Sequence, residues 1–385
     1  MRILHTSDWH IGRTFHTHST LEHLGLVLGS LCAAVREQRV DVVLVAGDVF
    51  DSGAPSADAI EVLTAAFRGI REAGARIVMT SGNHDSVVRL GMHAEWIAPA
   101  GLHVLTRHEV LHEPVTIDDE HGPVHFYGIP YLEPSMLRTA PADREMTSHG
   151  HALAWAMDRV RADLASRGGR AVVLAHCFTA DVEDEATDVE RDISSGGLNL
   201  VAAGVFDGVD YAALGHIHGR KALTPRVRYS GAPLHYSFAE AHKPRGGWLL
   251  ELGPQGLGDV TWLDLPVPRR LTELTGTLES LLDDPAHAAC EQHWVKAVLT
   301  DPVKPIDAMR RLQARFPHCV ALEVRPAGTD ADPVATYGAR VAGRSDLEIL
   351  DGFLGHVRGG LGASDFERRL VDEMLTARVA AERSA

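Results

Sequence analysis

Asp8-Trp9-His10, Gly47-Asp48, Gly82-Asn83-His84-Asp85, His176 and Gly215-His216-Ile217-His218 are the residues whose types and spacing could do chemistry. They offer carboxylates, one amide oxygen and imidazoles, a mixed donor set that suits manganese, iron or zinc better than calcium. Cys32, Cys177, Cys290 and Cys319 stand far apart with no C-x-x-C pair, which argues against a thiolate zinc site or a disulfide framework. In D-x-H and H-x-H, residues two apart on extended chain point the same way, so each pair can face one metal or two adjacent ones. Asp48, at a tight Gly turn, can bridge two metals with its two oxygens, while Gly47, Gly82 and Gly215 let backbone come close to the ions. Two metals about 3.5–4 Å apart would hold a hydroxide nucleophile and clamp the phosphate oxygens of an in-line displacement, without a covalent enzyme intermediate. A lone Asp-Gly or His-x-His is usually a turn or a surface feature. Five fragments in this order, each at a strand end, are not explained by satisfied core histidines, which leave the carboxylates and glycines without a reason.

The elements that must deliver these residues are legible as strands and helices. Arg2 to Ser7, Val42 to Ala46, Ala75 to Thr80, Arg170 to Ala175 and Val209 to Leu214 are apolar or β-branched runs, and each leads into one of the fragments. Leu21, Leu24, Leu28, Leu31, Cys32 and Val35 form a helical stripe, and a second helix runs from near Ser56 to Gly74. Val110 to Ile117 and Val124 to Ile129 predict partly exposed antiparallel strands; Val227 to Ser230, Trp248 to Leu252 and Val260 to Leu265 are further strands. The alternation predicts an α/β fold, in which carboxyl ends of strands converge on a crevice.

A chain of 385 residues exceeds the usual size of one core, so more than one domain is expected. Pro266-Val267-Pro268 marks a break after a first domain spanning 1–265. Residues 266–326 predict a small α+β domain, with strands Leu271 to Gly276, Trp294 to Thr300 and Val320 to Arg325 and helices near Leu278 to Leu282 and Ile306 to Phe316. Residues 327–344, rich in Gly, Asp, Pro and Ala, read as a linker. Over 345–385, Ser345-Asp346-Leu347-Glu348 and Ser364-Asp365-Phe366-Glu367 are capping boxes that start two helices. Their apolar faces, Leu347, Leu350, Phe353 and Leu354 on one and Phe366, Leu370 and Met374 on the other, predict docking onto a partner, with packing back on the preceding domain as the alternative.

The net charge of −15 has the wrong sign for a protein that coats nucleic acid unaided, so a DNA role needs local cations or a basic partner. Arg13, His16, His18 and Arg89 flank the site fragments and are the candidate DNA contacts, while Trp9 and Phe15 are expected in the core. No apolar run approaches membrane-spanning length and the N-terminus opens on a strand, so a cytoplasmic protein is expected.

In its order, D-x-H, G-D, G-N-H-D, H and G-H-x-H resembles the signature of the calcineurin-like metallophosphoesterase superfamily. MRILHTSDWHIG at the N-terminus, VAGDVFDS from Val45, and ALGHIHGR, YSGAP and YSFAE after Tyr211 are similar to the SbcD family, nuclease subunits of bacterial SbcC-SbcD complexes, over essentially the whole chain. The resemblance implies a four-layer αββα sandwich, a small α+β capping domain and a partner-binding helical tail. It implies a double-strand exonuclease and hairpin or end-cutting endonuclease of DNA repair, recombination and replication, nucleoid-associated. Two Mn²⁺ ions are implied, with iron, zinc or magnesium as alternatives. One would take Asp8, His10, Asp48 and His218, the other Asp48, Asn83, His176 and His216. His84 would protonate the leaving oxygen or stabilise charge there, with Asp85 orienting its ring. The implied partner is an SbcC-type ABC ATPase with a coiled-coil base, joined to a homodimer in a heterotetramer. Archaeal and eukaryotic relatives carry histidine where this chain has Asp51, so no phosphate contact transfers to that position. The competing expectation is a metallophosphoesterase for cyclic nucleotides or phosphoproteins, which the extra domain and tail disfavour. A scaffold without chemistry would lack a ligand, and none is missing.

Overall fold

In Val42–Ala46, a β-branched run buried on both faces, Val43 and Val45 point one way into a core with helices Leu21–Glu37 and Ala57–Glu72. Val42 and Leu44 point the other way, into a core with Val124, Phe126, Val172, Leu174 and Tyr211 of another sheet. This two-residue alternation is what allows a strand to be covered twice. The computed structural model describes residues 1–137, 146–179, 201–326, 344–357, 360 and 362–383. Its first six-stranded sheet runs Gly256–Asp264, Gly246–Gly253, Arg2–Thr6, Val42–Ala46, Arg76–Thr80 and Leu102–Leu105 in space, the last four parallel. The second runs Lys221–Ala222, Val227–Tyr229, Tyr211–Gly215, Arg170–His176, Gly122–Ile129 and Val115–Asp119, with its central strands parallel. Helix His149–Arg167 buries Trp155, Ala156 and Val160 against Tyr127, Val173 and Leu214 on the outer face of that sheet. Helix, sheet, sheet and helix thus form the four layers of the sandwich.

Two expected strands differ. Only Val115–Asp119 of the segment from Val110 is extended, and His108–Val110 is a 3₁₀ turn. Pro114 lacks a donor N–H and ends pairing there. Val124 to Ile129 is buried, not partly exposed, because its strand lies between Arg170–His176 and Val115–Asp119.

Arg170 ties this sheet to the other. Its guanidinium pairs with both Asp119 oxygens at 3.0 and 2.5 Å and donates to the Gly122 and Gly253 carbonyls, while the Met1 amine lies 3.2 Å from Asp119. Those hydrogen bonds hold the Asp119 carboxyl well below the usual carboxylate range. Both side chains are largely buried, 8% and 13% exposed, so breaking the pair strands a charge. Arg170→Leu is expected to lose about 3–5 kcal/mol in urea unfolding. A loss under about 1 kcal/mol would show that the pair is dispensable.

The chain forms two compact units, Met1–Arg270 and Leu271–Ala385. In the second, parallel strands Leu271–Gly276, Trp294–Leu299 and Cys319–Val324 carry helices Leu278–Asp283 and Ala308–Arg315 through Leu278, Leu281, Leu312 and Phe316. Both capping boxes form: the Ser345 hydroxyl and N–H donate to Glu348 at 2.8 Å, and Ser364 repeats this with Glu367. They open helices Asp346–Val357 and Asp365–Arg383. Leu347, Leu350 and Leu354 are half-buried, while Phe353, Phe366, Leu370 and Met374 are exposed, Phe366 by 67%. The expected linker, apart from Arg344, lies outside the described residues.

Candidate metal centre

Asp8 and His10 follow strand Arg2–Thr6, Asp48 follows Val42–Ala46, and Asn83 and His84 follow Arg76–Thr80, all in one sheet. The other sheet supplies His176, the last residue of its strand, with His216 and His218 beyond Tyr211–Gly215. The two sheets meet so closely here that a Cβ on Gly215 would lie 1.9 Å from the Ala46 carbonyl oxygen, and between neighbouring loops of the first sheet one on Gly82 would lie 2.0 Å from Asp48 Oδ1. Only glycine fits at either position.

The paired motifs do not meet by strand alternation. Asp8, His10, Asp48 and His216 have φ of 52°, 44°, 47° and 107°, in the left-handed region that costs a residue with a Cβ about 1–3 kcal/mol. Beyond the strand ends the chain turns, and adjacent loops lace together: Asp8 N–H donates to the Gly47 carbonyl (3.1 Å) and His10 N–H to that of Asp48 (2.9 Å). The lacing, not the pleat, points these side chains inward.

His10 Nε2 and His218 Nε2 lie 3.1 Å apart, and Asp8 reaches the same point. His176 Nε2 and His216 Nδ1 lie 3.3 Å apart, each beside Asn83 Oδ1 at 3.0 and 3.2 Å. Asp48 stands between the groups, its Oδ2 at 3.5 Å from His10 Nε2 and 3.3 Å from His176 Nε2. Its other oxygen, Oδ1, accepts the His84 N–H at 3.0 Å. Asp8 is held on both oxygens, by the His216 N–H (2.8 Å) and the Ser7 hydroxyl (2.5 Å), which is itself 2.7 Å from Ser230 Oγ.

These residues fit a metal pair. His176 Nδ1 faces the Ala46 carbonyl at 3.0 Å and His218 Nδ1 faces Glu240 at 3.4 Å, so in the neutral rings those nitrogens carry the proton and Nε2 is the atom that would ligate. Asp51 Oδ1 lies 3.3 Å from His10 Nδ1, within ion-pair reach but off the line of a hydrogen bond, and favours the same tautomer. His10 Nε2 and His218 Nε2, 3.1 Å apart, are close enough to share a proton or to ligate one ion.

Electrostatics agree. Burial disfavours the His176 imidazolium, but Asp48, Asp8 and the Ala46 carbonyl outweigh it and raise the pKa to about 9. Burial raises Asp48, yet His176, His10 and His84 bring it below the ordinary carboxylate range. Burial raises Asp8. A raised histidine contributes stability that is full below about pH 6.5 and lost as pH rises through about 9. Metal must displace that proton. Manganese titrations at pH 7.5 in two buffers of different ionisation enthalpy are expected to show about one proton released per chain, and affinity rising toward pH 9. Binding independent of both buffer and pH would contradict the sign.

His84 Nδ1 donates to the Asp51 carbonyl at 3.0 Å. Asp85 accepts the N–H groups of Val49, Phe50 and Gly82 at 3.1, 2.9 and 2.9 Å and so clamps the two loops beside His84. Arg13 borders the site, 3.5 Å from Asp51 and 5.0 Å above the Tyr236 ring. Arg89 donates to the Gly53 carbonyl, and His16 and His18 lie on a short hairpin, His16 beside Phe238. Trp9 and Phe15 are buried. Sequence reasoning assigned no part to Asp51, Glu240, Ser7 or Ser230. Glu240 lies in YSFAE, noticed only as a matching string, and no spacing rule connects it to a histidine 22 residues earlier.

Calcineurin-like phosphoesterase, as a family model, matches residues 1–220, more than half of the chain. The chain belongs to this calcineurin-like family. It is a metal-dependent hydrolase of phosphate esters, and its donor groups form a dimetal site. Residues 267–358 match the SbcD C-terminal domain, described as the type 5 capsule protein repressor C-terminal domain. The calcineurin-like unit is thus joined to an SbcD-type C-terminal domain, as in SbcD nuclease subunits. Among solved structures, a Thermus thermophilus protein is 16% identical, covering 68% of this chain and 98% of its own, with a TM-score of 0.38. A dimetal phosphatase from Danio rerio is 12% identical, with coverages of 69% and 99% and a TM-score of 0.38. Both are too distant to bear on function. No helix among the described residues is long and apolar enough to cross a membrane.

Proposed function

We propose that this metallophosphoesterase is a manganese-dependent DNA nuclease, cutting double-strand ends and hairpins in repair and recombination under an SbcC-type ATPase. The observation that carries the reading is the SbcD C-terminal domain match at residues 267–358, beyond the catalytic unit. Asp8, His10, Asp48 and His218 would hold one ion, and Asp48, Asn83, His176 and His216 the other. When bound, the pair activates water and withdraws charge from the phosphate. His84, at the rim, meets the leaving oxygen as acid or charge stabiliser, its ring set by the Asp51 carbonyl. Arg13 and Arg89 flank the path of the strand. A chain of net charge −15 draws DNA mainly through its metals and a basic partner. Val88, Met92 and Trp96, exposed apolar residues just beyond the His84 loop, support a homodimer.

The test is cleavage of end-labelled duplex and hairpin DNA with Mn²⁺, with and without the ATPase and ATP. Ready hydrolysis of cyclic nucleotides or phosphoproteins with intact DNA throughout would overturn the reading. Deleting residues 345–385 is expected to abolish co-purification with the ATPase while manganese content stays unchanged. Undiminished co-purification would refute the role of the tail.

A further inference from the structure

We infer that Glu240 and Asp51 are positioning residues that tighten one metal position selectively, the one served by His10 and His218. The inference rests on the ligand sets proposed above. Both histidines turn Nδ1 toward a carboxylate: His218 hydrogen-bonds Glu240 Oε1 at 3.4 Å, and His10 has Asp51 Oδ1 at 3.3 Å as an electrostatic contact off the hydrogen-bond line. His176, in the other set, rests on a neutral backbone carbonyl, that of Ala46. A carboxylate behind an imidazole fixes its tautomer and direction and raises its basicity more than a neutral carbonyl does.

Glu240 is built for this task. Its Oε1 also accepts the Ser237 hydroxyl at 3.1 Å, and its Oε2 accepts the Tyr236 N–H at 3.2 Å and a guanidinium nitrogen of Arg245. The Arg245 side chain is fully buried, and it donates as well to the carbonyls of His218 and Ala232. One cation thereby holds both the carboxylate and the backbone of the histidine it orients. Asp51 has Arg13 at 3.5 Å, which limits its swing. The two acids come from different loops, yet converge on one histidine pair.

The experiment is manganese titration of full-length protein by calorimetry, together with electron paramagnetic resonance of the loaded samples. Wild type is expected to bind two Mn²⁺ per chain and give the spectrum of an exchange-coupled pair. Glu240→Gln and Asp51→Asn are each expected to weaken one position by about 10–100-fold, leave the other unchanged, and at one equivalent show uncoupled Mn²⁺. Glu240→Gln strands the buried charge of Arg245 and can unfold the protein; the paired variant Glu240→Gln/Arg245→Met removes both charges, and half-exposed Asp51 carries no such risk. Two positions of wild-type affinity in Asp51→Asn and in a folded Glu240 variant would overturn the inference alone. Equal weakening of both positions would do the same. A wild-type protein that binds no metal pair would overturn the ligand assignment, and the inference with it.

Discussion

Asp48→Ala is expected to leave the chain folded and unable to retain either metal, with phosphodiester cleavage reduced by at least about 10⁴-fold, roughly 5.5 kcal/mol of transition-state stabilisation. The size follows from position. Asp48 Oδ2 is the one carboxylate oxygen close to both histidine groups, 3.5 Å from His10 Nε2 and 3.3 Å from His176 Nε2. Its Oδ1 holds the backbone N–H of His84, so the same truncation releases the rim residue. Bound metal measured by plasma mass spectrometry, beside a thermal melt of the metal-free variant, separates lost ligation from unfolding. One metal kept at wild-type occupancy would restrict Asp48 to a single position.

His84→Gln should behave differently: cleavage falls by about 10²–10⁴-fold while two metals remain. The geometry leaves a real contest, because His84 also lies within ligating reach of His10 and Asp48. Exposure decides it. The His84 side chain is 26% exposed, whereas those of His10 and His176 are fully buried, so substrate can reach His84 and not the others. Its Nδ1 donates to the Asp51 carbonyl, which sets the ring whose Nε2 is proposed to act on a phosphate ester. The loss should appear in kcat, with KM little changed. A variant that loses metal in proportion to activity would make His84 a ligand.

Much of the fold was legible because it is written in local rules. Val42–Ala46 showed as a doubly covered strand, and the two tail helices showed in their capping boxes, since burial period and first-turn hydrogen bonding depend on neighbours a few residues apart. The segment from Val110 was misread because apolar composition outweighed Pro114, and Gly122–Ile129 because its burial depends on a parallel neighbour more than 40 residues later. The backbone contacts of Asp85 were not legible for a related reason. Adjacent to His84 in sequence, this residue turns its carboxylate to backbone N–H groups of another loop.

Residue type and order determined which groups carry the chemistry: oxygen and nitrogen donors at strand ends, with glycines where nothing larger fits. Tertiary structure alone decided how they meet. His10 and His218 are 208 positions apart and stand 3.1 Å from each other because two sheets pack face to face. That packing also sets Asp48 between two histidine groups and brings Glu240 and Asp51 behind their histidines. A contact across such a separation leaves no local mark in a single sequence, because it depends on loop conformations beyond the strands, four of whose residues adopt the left-handed region against their own preference.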